Sequence, residues 1–188
     1  MLLEELKRQT RQQHAALEQL NGLPQSLTDY LGWLETFFGF VEPWERLLAA
    51  RLPLGDPIRA GREKTGWLRH DLGFFGYLPE AVEALPRCAE LPPATSRAAM
   101  LGAAYVLEGS TLGGQFIARH LEETFDFKDG EGYRYFLSYG PQVGPMWQAF
   151  RQELLAHSSP ESDPAIVAAA QTTFDRLQAW FAARKVAA

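Results

Sequence analysis

Apolar residues recur at intervals of three and four along most of the chain, a spacing that places them on one face of an α-helix. The first segment shows this pattern clearly. Its positions on that face are Leu3, Leu6, Thr10, His14 and Leu17. The stretch NGLP at residues 21–24 predicts the end of this helix, because Asn, Gly and Pro interrupt helical structure.

A second helix is expected to begin at Ser26 or Thr28, because a hydroxyl side chain there caps the first turn. Pro43 is expected to kink this helix or to start a new one. A long helix capped by Thr95 or Ser96 follows later in the chain. The other predicted helices cover residues 58–71, a short segment from Pro79, a segment from Pro145 to about His157, and residues 164–184.

No alternation of period two is long enough for a strand, so the sequence predicts an all-α fold in a single domain over residues 1–188. The formal net charge of −5 argues against a general affinity for nucleic acid or for an anionic membrane. The single cysteine, Cys88, excludes an intrachain disulfide. The charged N-terminus lacks the apolar core of a signal peptide, and no run reaches the roughly 18 apolar residues of a membrane span. We therefore expect a soluble cytoplasmic protein.

The stretch YVLEGSTLGGQ at residues 105–115 is helical in spacing yet contains Gly109, Gly113 and Gly114. Each glycine weakens a helix interior by roughly 1 kcal/mol relative to alanine. Gly102, Gly109 and Gly113 are spaced seven and four residues apart, so they share one face. Two interpretations stay open at this point: close packing against another helix, or a flat ligand lying against the bare backbone.

His14 lies on the apolar face of the first helix, where it is either a core residue or a metal ligand. Glu18, one turn later, is placed to accept the second imidazole N–H, as carboxylates do for metal-binding histidines. Lys7 lies two turns before His14, about 10.5 Å along the helix axis, a separation similar to that between haem iron and the propionates. Arg11 lies between them. Lys7 and Arg11 are otherwise ordinary solvated charges.

LKRQTRQQHAALE in the first helix, followed by YVLEGSTLGGQ, resembles the biliverdin-producing haem oxygenase family, and specifically its soluble bacterial members. The resemblance extends through YGPQVGPMWQAFRQEL and AQTTFDRLQAWF, and so covers most of the chain. It implies an all-α fold that holds haem between the first helix and a kinked, glycine-rich distal helix.

The resemblance also implies roles for residues of the first helix. His14 would be the proximal ligand of the haem iron, with Glu18 supporting it. Thr10 would pack near the ring, and Lys7 and Arg11 would bind the propionates.

Residues of the later helices receive roles from the same resemblance. Gly109 and Gly113 would leave space for O2 over the other face of the haem, with Gly114 beside them. Ser110 occupies the position where animal members carry an aspartate that anchors distal water, so proton delivery must differ. The resemblance further implies that Arg151 contacts a propionate and that Phe174 lines the pocket.

The family's reaction uses haem as both substrate and cofactor. O2 and electrons from an external donor, such as ferredoxin or a flavin reductase, convert haem to biliverdin, CO and Fe2+. The alternatives that the sequence leaves open are a haem carrier or sensor of the same fold that does not degrade haem, a helical-bundle enzyme with a cysteine nucleophile, and a helical interaction module.

Overall fold

The computed structural model describes residues 1–187 of the chain, with side chains up to Lys185. These residues form helices and turns and contain no strand, as the sequence predicts. The helices are α1 (Leu2–Asn21), α2 (Leu27–Ala49), α3 (Thr65–Phe74), α4 (Pro79–Ala84), α5 (Arg97–Phe125), α6 (Arg134–Leu137), α7 (Val143–Ala156) and α8 (Asp163–Ala187), with a 3-10 turn at Gly140–Gln142. No helix in this part of the chain is both long and apolar enough to cross a membrane.

Helix α2 begins after Ser26, whose side chain and that of Asp29 cap each other's backbone N–H. It then continues through Pro43, so the predicted restart of a new helix there is wrong. A proline leaves the carbonyl four residues earlier without its helical partner. Here that carbonyl belongs to Gly39, and the backbone N–H of Cys88 donates to it at 2.8 Å. A loop distant in sequence therefore supplies the missing hydrogen bond.

The helix predicted over residues 58–71 is wrong in its first half, because residues 57–61 form turns, residues 62–64 have no regular secondary structure, and α3 starts only at Thr65. The cause is a contact with α2. The carboxylate of Glu45 accepts hydrogen bonds from the backbone N–H of Lys64 at 2.5 Å and of Thr65 at 3.1 Å. These hydrogen bonds satisfy backbone N–H groups at the start of α3 that a nearby capping side chain would otherwise bind.

Helices α1 and α5 both pack against α8. Gly102 permits the closest approach, since a Cβ atom there would overlap the backbone of Ile166 in α8. The negative charge of Glu4 acts on Tyr105 near one end of α1, and His120 contacts the carbonyl of Pro24 at 2.8 Å just beyond its other end. Helices α1 and α5 therefore run in the same direction beside each other.

Candidate functional site

A cavity of about 1110 Å3 lies between α1 and α5, and residues of α2, α6, α7 and α8 also line it. Ligand sites for small molecules are usually roughly 300–1,000 Å3, so the cavity suits a large ligand. Its lining is mostly apolar. The sequence-predicted site residues that line it are Lys7, Thr10, Arg11, His14, Glu18, Gly109, Ser110, Gly113, Arg151 and Phe174.

The α1 side of the cavity is centred on His14. The His14 side chain is 59% exposed although its helical face is apolar, because that face opens on the cavity. Nδ1 of His14 lies 3.5 Å from the Glu18 carboxylate, and the imidazole meets the ring of Phe174 edge-on at 5.8 Å between centroids. This arrangement leaves Nε2 directed away from Glu18 and available to a ligand.

Thr10, one turn before His14, is buried and donates its hydroxyl proton to the carbonyl of Leu6 at 2.8 Å. The hydroxyl is therefore satisfied within α1. Thr10 belongs to the cavity lining without offering a free donor to it.

Three cationic side chains reach the cavity. Lys7 and Arg11 of α1 are exposed, and Arg151 projects from α7. Arg151 donates to the side chain of Gln148 at 3.1 Å. Neither Lys7 nor Arg11 forms an ion pair with another described residue, so both are available to an anionic group.

The α5 side of the cavity is bare backbone at two positions. A Cβ atom on Gly113 would meet no other atom within 4 Å, and one on Gly109 would meet only Trp147, at 4.0 Å. Ser110 is exposed between them and donates its hydroxyl proton to the carbonyl of Leu107 at 2.9 Å. The glycines thus leave the cavity open to a flat ligand.

Gly114 does not line the cavity, although the sequence suggests a contact with the haem. It is buried, and a Cβ atom there would overlap the carbonyl oxygen of Phe136 in α6. Gly114 and Gly102 therefore serve close packing, whereas Gly109 and Gly113 face open space. The close-packing interpretation is confirmed for Gly102 and Gly114, and the ligand interpretation stays a prediction for Gly109 and Gly113.

The other three histidines lie outside the cavity lining. His70 is adjacent to the carboxylate of Asp71, His120 contacts the carbonyl of Pro24, and His157 contacts Glu153. Of the four histidines, His14 is therefore the one whose imidazole lines the cavity.

A buried charged cluster lies behind α5, on the side away from the cavity. Glu108 pairs with Arg62 and with Nζ of Lys64 at 2.5 Å, and it accepts a hydrogen bond from Tyr139 at 2.9 Å. Burial and the negative charge of Glu108 both raise the pKa of Tyr139. Glu108 therefore points away from the cavity-lining face of α5 that carries Ser110.

Sequence reasoning missed several aromatic residues of the cavity, among them Trp33 and Phe37 of α2, Trp147 of α7 and Tyr135 of α6. Helical spacing identifies Trp33 and Phe37 as apolar-face residues, but it does not tell a cavity wall from a filled core. Tyr135 lies outside the helices that the sequence predicts, and no local signal marks it as a cavity residue.

The sequence model of the family described as Heme oxygenase matches residues 1–183. Among solved structures, the chain is similar to haem oxygenase from Leptospira interrogans, with 21% identity over 97% of this chain and 98% of that one and a TM-score of 0.74. It is also similar to the NO- and CO-bound haem oxygenase of Neisseria meningitidis, with 21% identity, 98% and 92% coverage and a TM-score of 0.77.

Haem oxygenase-1 of the cyanobacterium Synechocystis, solved in complex with haem, is similar at 17% identity, with 97% and 91% coverage and a TM-score of 0.76. These structural likenesses establish the fold. No curated protein sequence matches significantly.

Proposed function

The chain belongs to the haem oxygenase family, and from this premise we propose that it cleaves haem with O2 and electrons from an external donor to give biliverdin, CO and Fe2+. The observation that carries the proposal is the cavity that brings the His14 imidazole and the bare backbone of Gly109 and Gly113 together on opposite walls. These two features are far apart in sequence and meet only in the fold.

The residues present fit a haem. The cavity is large and mainly apolar, as a porphyrin requires, and one imidazole offers an unpaired ring nitrogen. Lys7, Arg11 and Arg151 provide positive charge for two propionates. Phe174 packs its ring against the edge of His14 and restricts how the imidazole turns.

Each residue has a defined task in this proposal. His14 binds the iron through Nε2, and Glu18 accepts the N–H of Nδ1, which fixes the tautomer and raises the basicity of the ligand. Thr10 packs beside the ring. Lys7, Arg11 and Arg151 hold the propionates and so set how the haem is rotated in the cavity.

The residues of α5 have a different role, which is to leave space next to the haem. Gly109 and Gly113 present backbone without side chains, which leaves space for O2 and excludes an acid or base that would direct the reaction elsewhere. The bound haem supplies the binding and activation of O2 and is itself the substrate that is cleaved. Ser110 offers its hydroxyl oxygen as an acceptor to water, because its proton is directed to Leu107.

Reconstitution with haemin followed by reduction tests the proposal. The purified protein is titrated with haemin, and a ferredoxin with its reductase and NADPH is then added under air while spectra are recorded. We expect a saturable Soret band that disappears as the bilin absorption and CO form. A stable Soret band under these conditions would indicate a haem carrier or sensor. The absence of saturable haemin binding would refute the proposal that the protein binds haem.

A further inference from the structure

Tyr135 of α6 and Tyr105 of α5 are the two tyrosines that line the cavity, and neither hydroxyl forms a hydrogen bond with a described residue. Tyr135 is 8% exposed, and its ring lies between those of Phe37 and Phe136, at 5.1 Å from each centroid. Its hydroxyl forms no hydrogen bond with any described residue, yet the residue lines the cavity. Because no described residue binds this hydroxyl, a water or ligand in the cavity is its available hydrogen-bond partner.

The short helix α6 is held in place by a carboxylate from α3. Asp71 is completely buried and accepts hydrogen bonds from the backbone N–H groups of Arg134 and Tyr135, both at 2.8 Å. Burial raises the pKa of Asp71, so placing this carboxyl in the interior carries a free-energy cost. The two hydrogen bonds to Asp71 offset this cost, and they fix the backbone at Tyr135.

Gly114 provides the second constraint on α6. The carbonyl of Phe136 sits where any larger residue at position 114 would place its side chain. This contact ties α6 to α5, so Tyr135 stands on an element that packs against the α5 wall of the cavity. Asp71 and Gly114, to which the proposed function gives no other role, both position this one side chain.

The charges near Tyr135 keep its hydroxyl protonated. Burial is the main cause that raises the pKa of Tyr135, and the negative charges of Glu45 in α2 and Glu108 in α5 add to it, as does Tyr139. The cations next to Glu108, Arg62 and Lys64, are paired with it. A neutral phenol is a hydrogen-bond donor, so Tyr135 offers a proton towards the cavity.

On α5 itself the one other phenol that lines the cavity is Tyr105, which lies beside Trp147 and close to Glu4 of α1. Gly109 and Gly113 have no side chains, and the Ser110 proton is directed to the carbonyl of Leu107. We propose that the Tyr135 hydroxyl donates the side-chain hydrogen bond that a small polar molecule, water or O2, receives on the α5 side of the haem. The inference rests on the proposed function, because it requires haem bound by His14.

Fluoride binding to the ferric haem complex tests this role without relying on turnover. Fluoride is a strong hydrogen-bond acceptor, so its affinity depends on a donor next to the iron. Tyr135→Phe keeps the ring and removes only the hydroxyl, and we expect it to lower fluoride affinity about tenfold while haemin affinity stays unchanged, since one hydrogen bond to an anion is lost.

Tyr133→Phe is the matched control. Its hydroxyl donates to Glu122 at 2.8 Å, outside the cavity, two residues from Tyr135 in the same segment. We expect this variant to bind fluoride as the wild type does. CO, a weak acceptor, should bind the ferrous complexes of all three proteins with similar affinity.

The outcomes separate the two proposals. If the wild type converts haemin to biliverdin but Tyr135→Phe keeps the wild-type fluoride affinity, the role of Tyr135 is refuted and the proposed function stands. If the wild type binds no haemin, both fail. Should Tyr135→Phe not fold, 3-fluorotyrosine at position 135 replaces it, and its more acidic hydroxyl should raise fluoride affinity; an unchanged affinity would again refute the role.

Discussion

At the scale of single residues, the exposure of His14 is the most informative quantity. A histidine on the apolar face of a helix is normally covered by its neighbours, yet this side chain remains 59% exposed beside a carboxylate at 3.5 Å. Helical spacing predicts the pairing of His14 with Glu18, because residues four apart share a face. It does not predict the exposure, which arises because α5 stands away from this part of α1.

We predict that His14→Ala weakens haemin binding by at least about tenfold and abolishes the spectrum of a histidine-ligated haem, because the direct iron ligand is lost. A haemin titration with visible and electron paramagnetic resonance spectra measures both effects. His157→Ala is the control, since His157 lies outside the cavity and is hydrogen-bonded within α7. A normal histidine-ligated spectrum in His14→Ala would assign the iron ligand to another residue.

At the scale of the element, α5 combines two kinds of glycine that the sequence cannot distinguish. Gly113 and Gly114 are adjacent, and each weakens the helix by the same intrinsic amount. Only the neighbours differ, because Gly113 faces open space and Gly114 faces the backbone of α6. Local spacing therefore predicts the helix and its glycine stripe correctly, whereas the contact partner of each glycine depends on residues that lie elsewhere in the chain.

This difference predicts opposite effects for two neighbouring substitutions. Gly113→Ala should raise the free energy of unfolding by roughly 0.5–1 kcal/mol, because alanine favours the helix and meets no atom. Gly114→Ala should lower it by roughly 1–3 kcal/mol, because the new Cβ overlaps the Phe136 carbonyl. Urea denaturation followed by circular dichroism measures both.

Gly113→Ala and Gly114→Ala also separate effects on stability from effects on activity. Gly113→Ala places a methyl group in the cavity and should slow biliverdin formation while haemin still binds. Full activity in the stabilised Gly113→Ala protein would contradict the role of the bare backbone. Equal effects of the two substitutions on stability would contradict the packing described for Gly114.

At the scale of the whole molecule, long-range contacts explain where the sequence-based account fails. Glu45 holds the start of α3 from α2, and the Cys88 N–H replaces the hydrogen bond that Pro43 removes. Both contacts join segments about twenty or more residues apart, so no local pattern reveals them. Tyr135 is inaccessible to sequence reasoning for the same reason, because Asp71 positions it from α3.

Alkaline unfolding is a prediction for the molecule as a whole. All six tyrosines have a raised pKa in the folded state, and burial is the largest cause for each; for Tyr77 the pKa is about 12. An unfolded tyrosine ionises near 10. A tyrosine with a raised pKa in the folded state stabilises that state. This stabilisation is complete below about pH 10 and is lost as the pH rises through the pKa of the folded state.

We therefore expect tyrosinate absorption to appear together with the loss of helical circular dichroism as the pH is raised above about 10. An alkaline titration that records both signals measures this. The control is the chain unfolded in guanidinium, whose tyrosines should ionise near 10. Ionisation of most tyrosines near that value, with the helices intact, would contradict the burial described here.

The central claim is that haem lies between the imidazole of His14 and the bare backbone of Gly109 and Gly113. A crystal structure of the haemin complex tests it most directly. We predict that Nε2 of His14 binds the iron and that the backbone of residues 109–113 is the nearest protein group to the opposite face of the porphyrin. A complex in which another residue binds the iron, or in which haem lies outside the cavity between α1 and α5, would contradict the account.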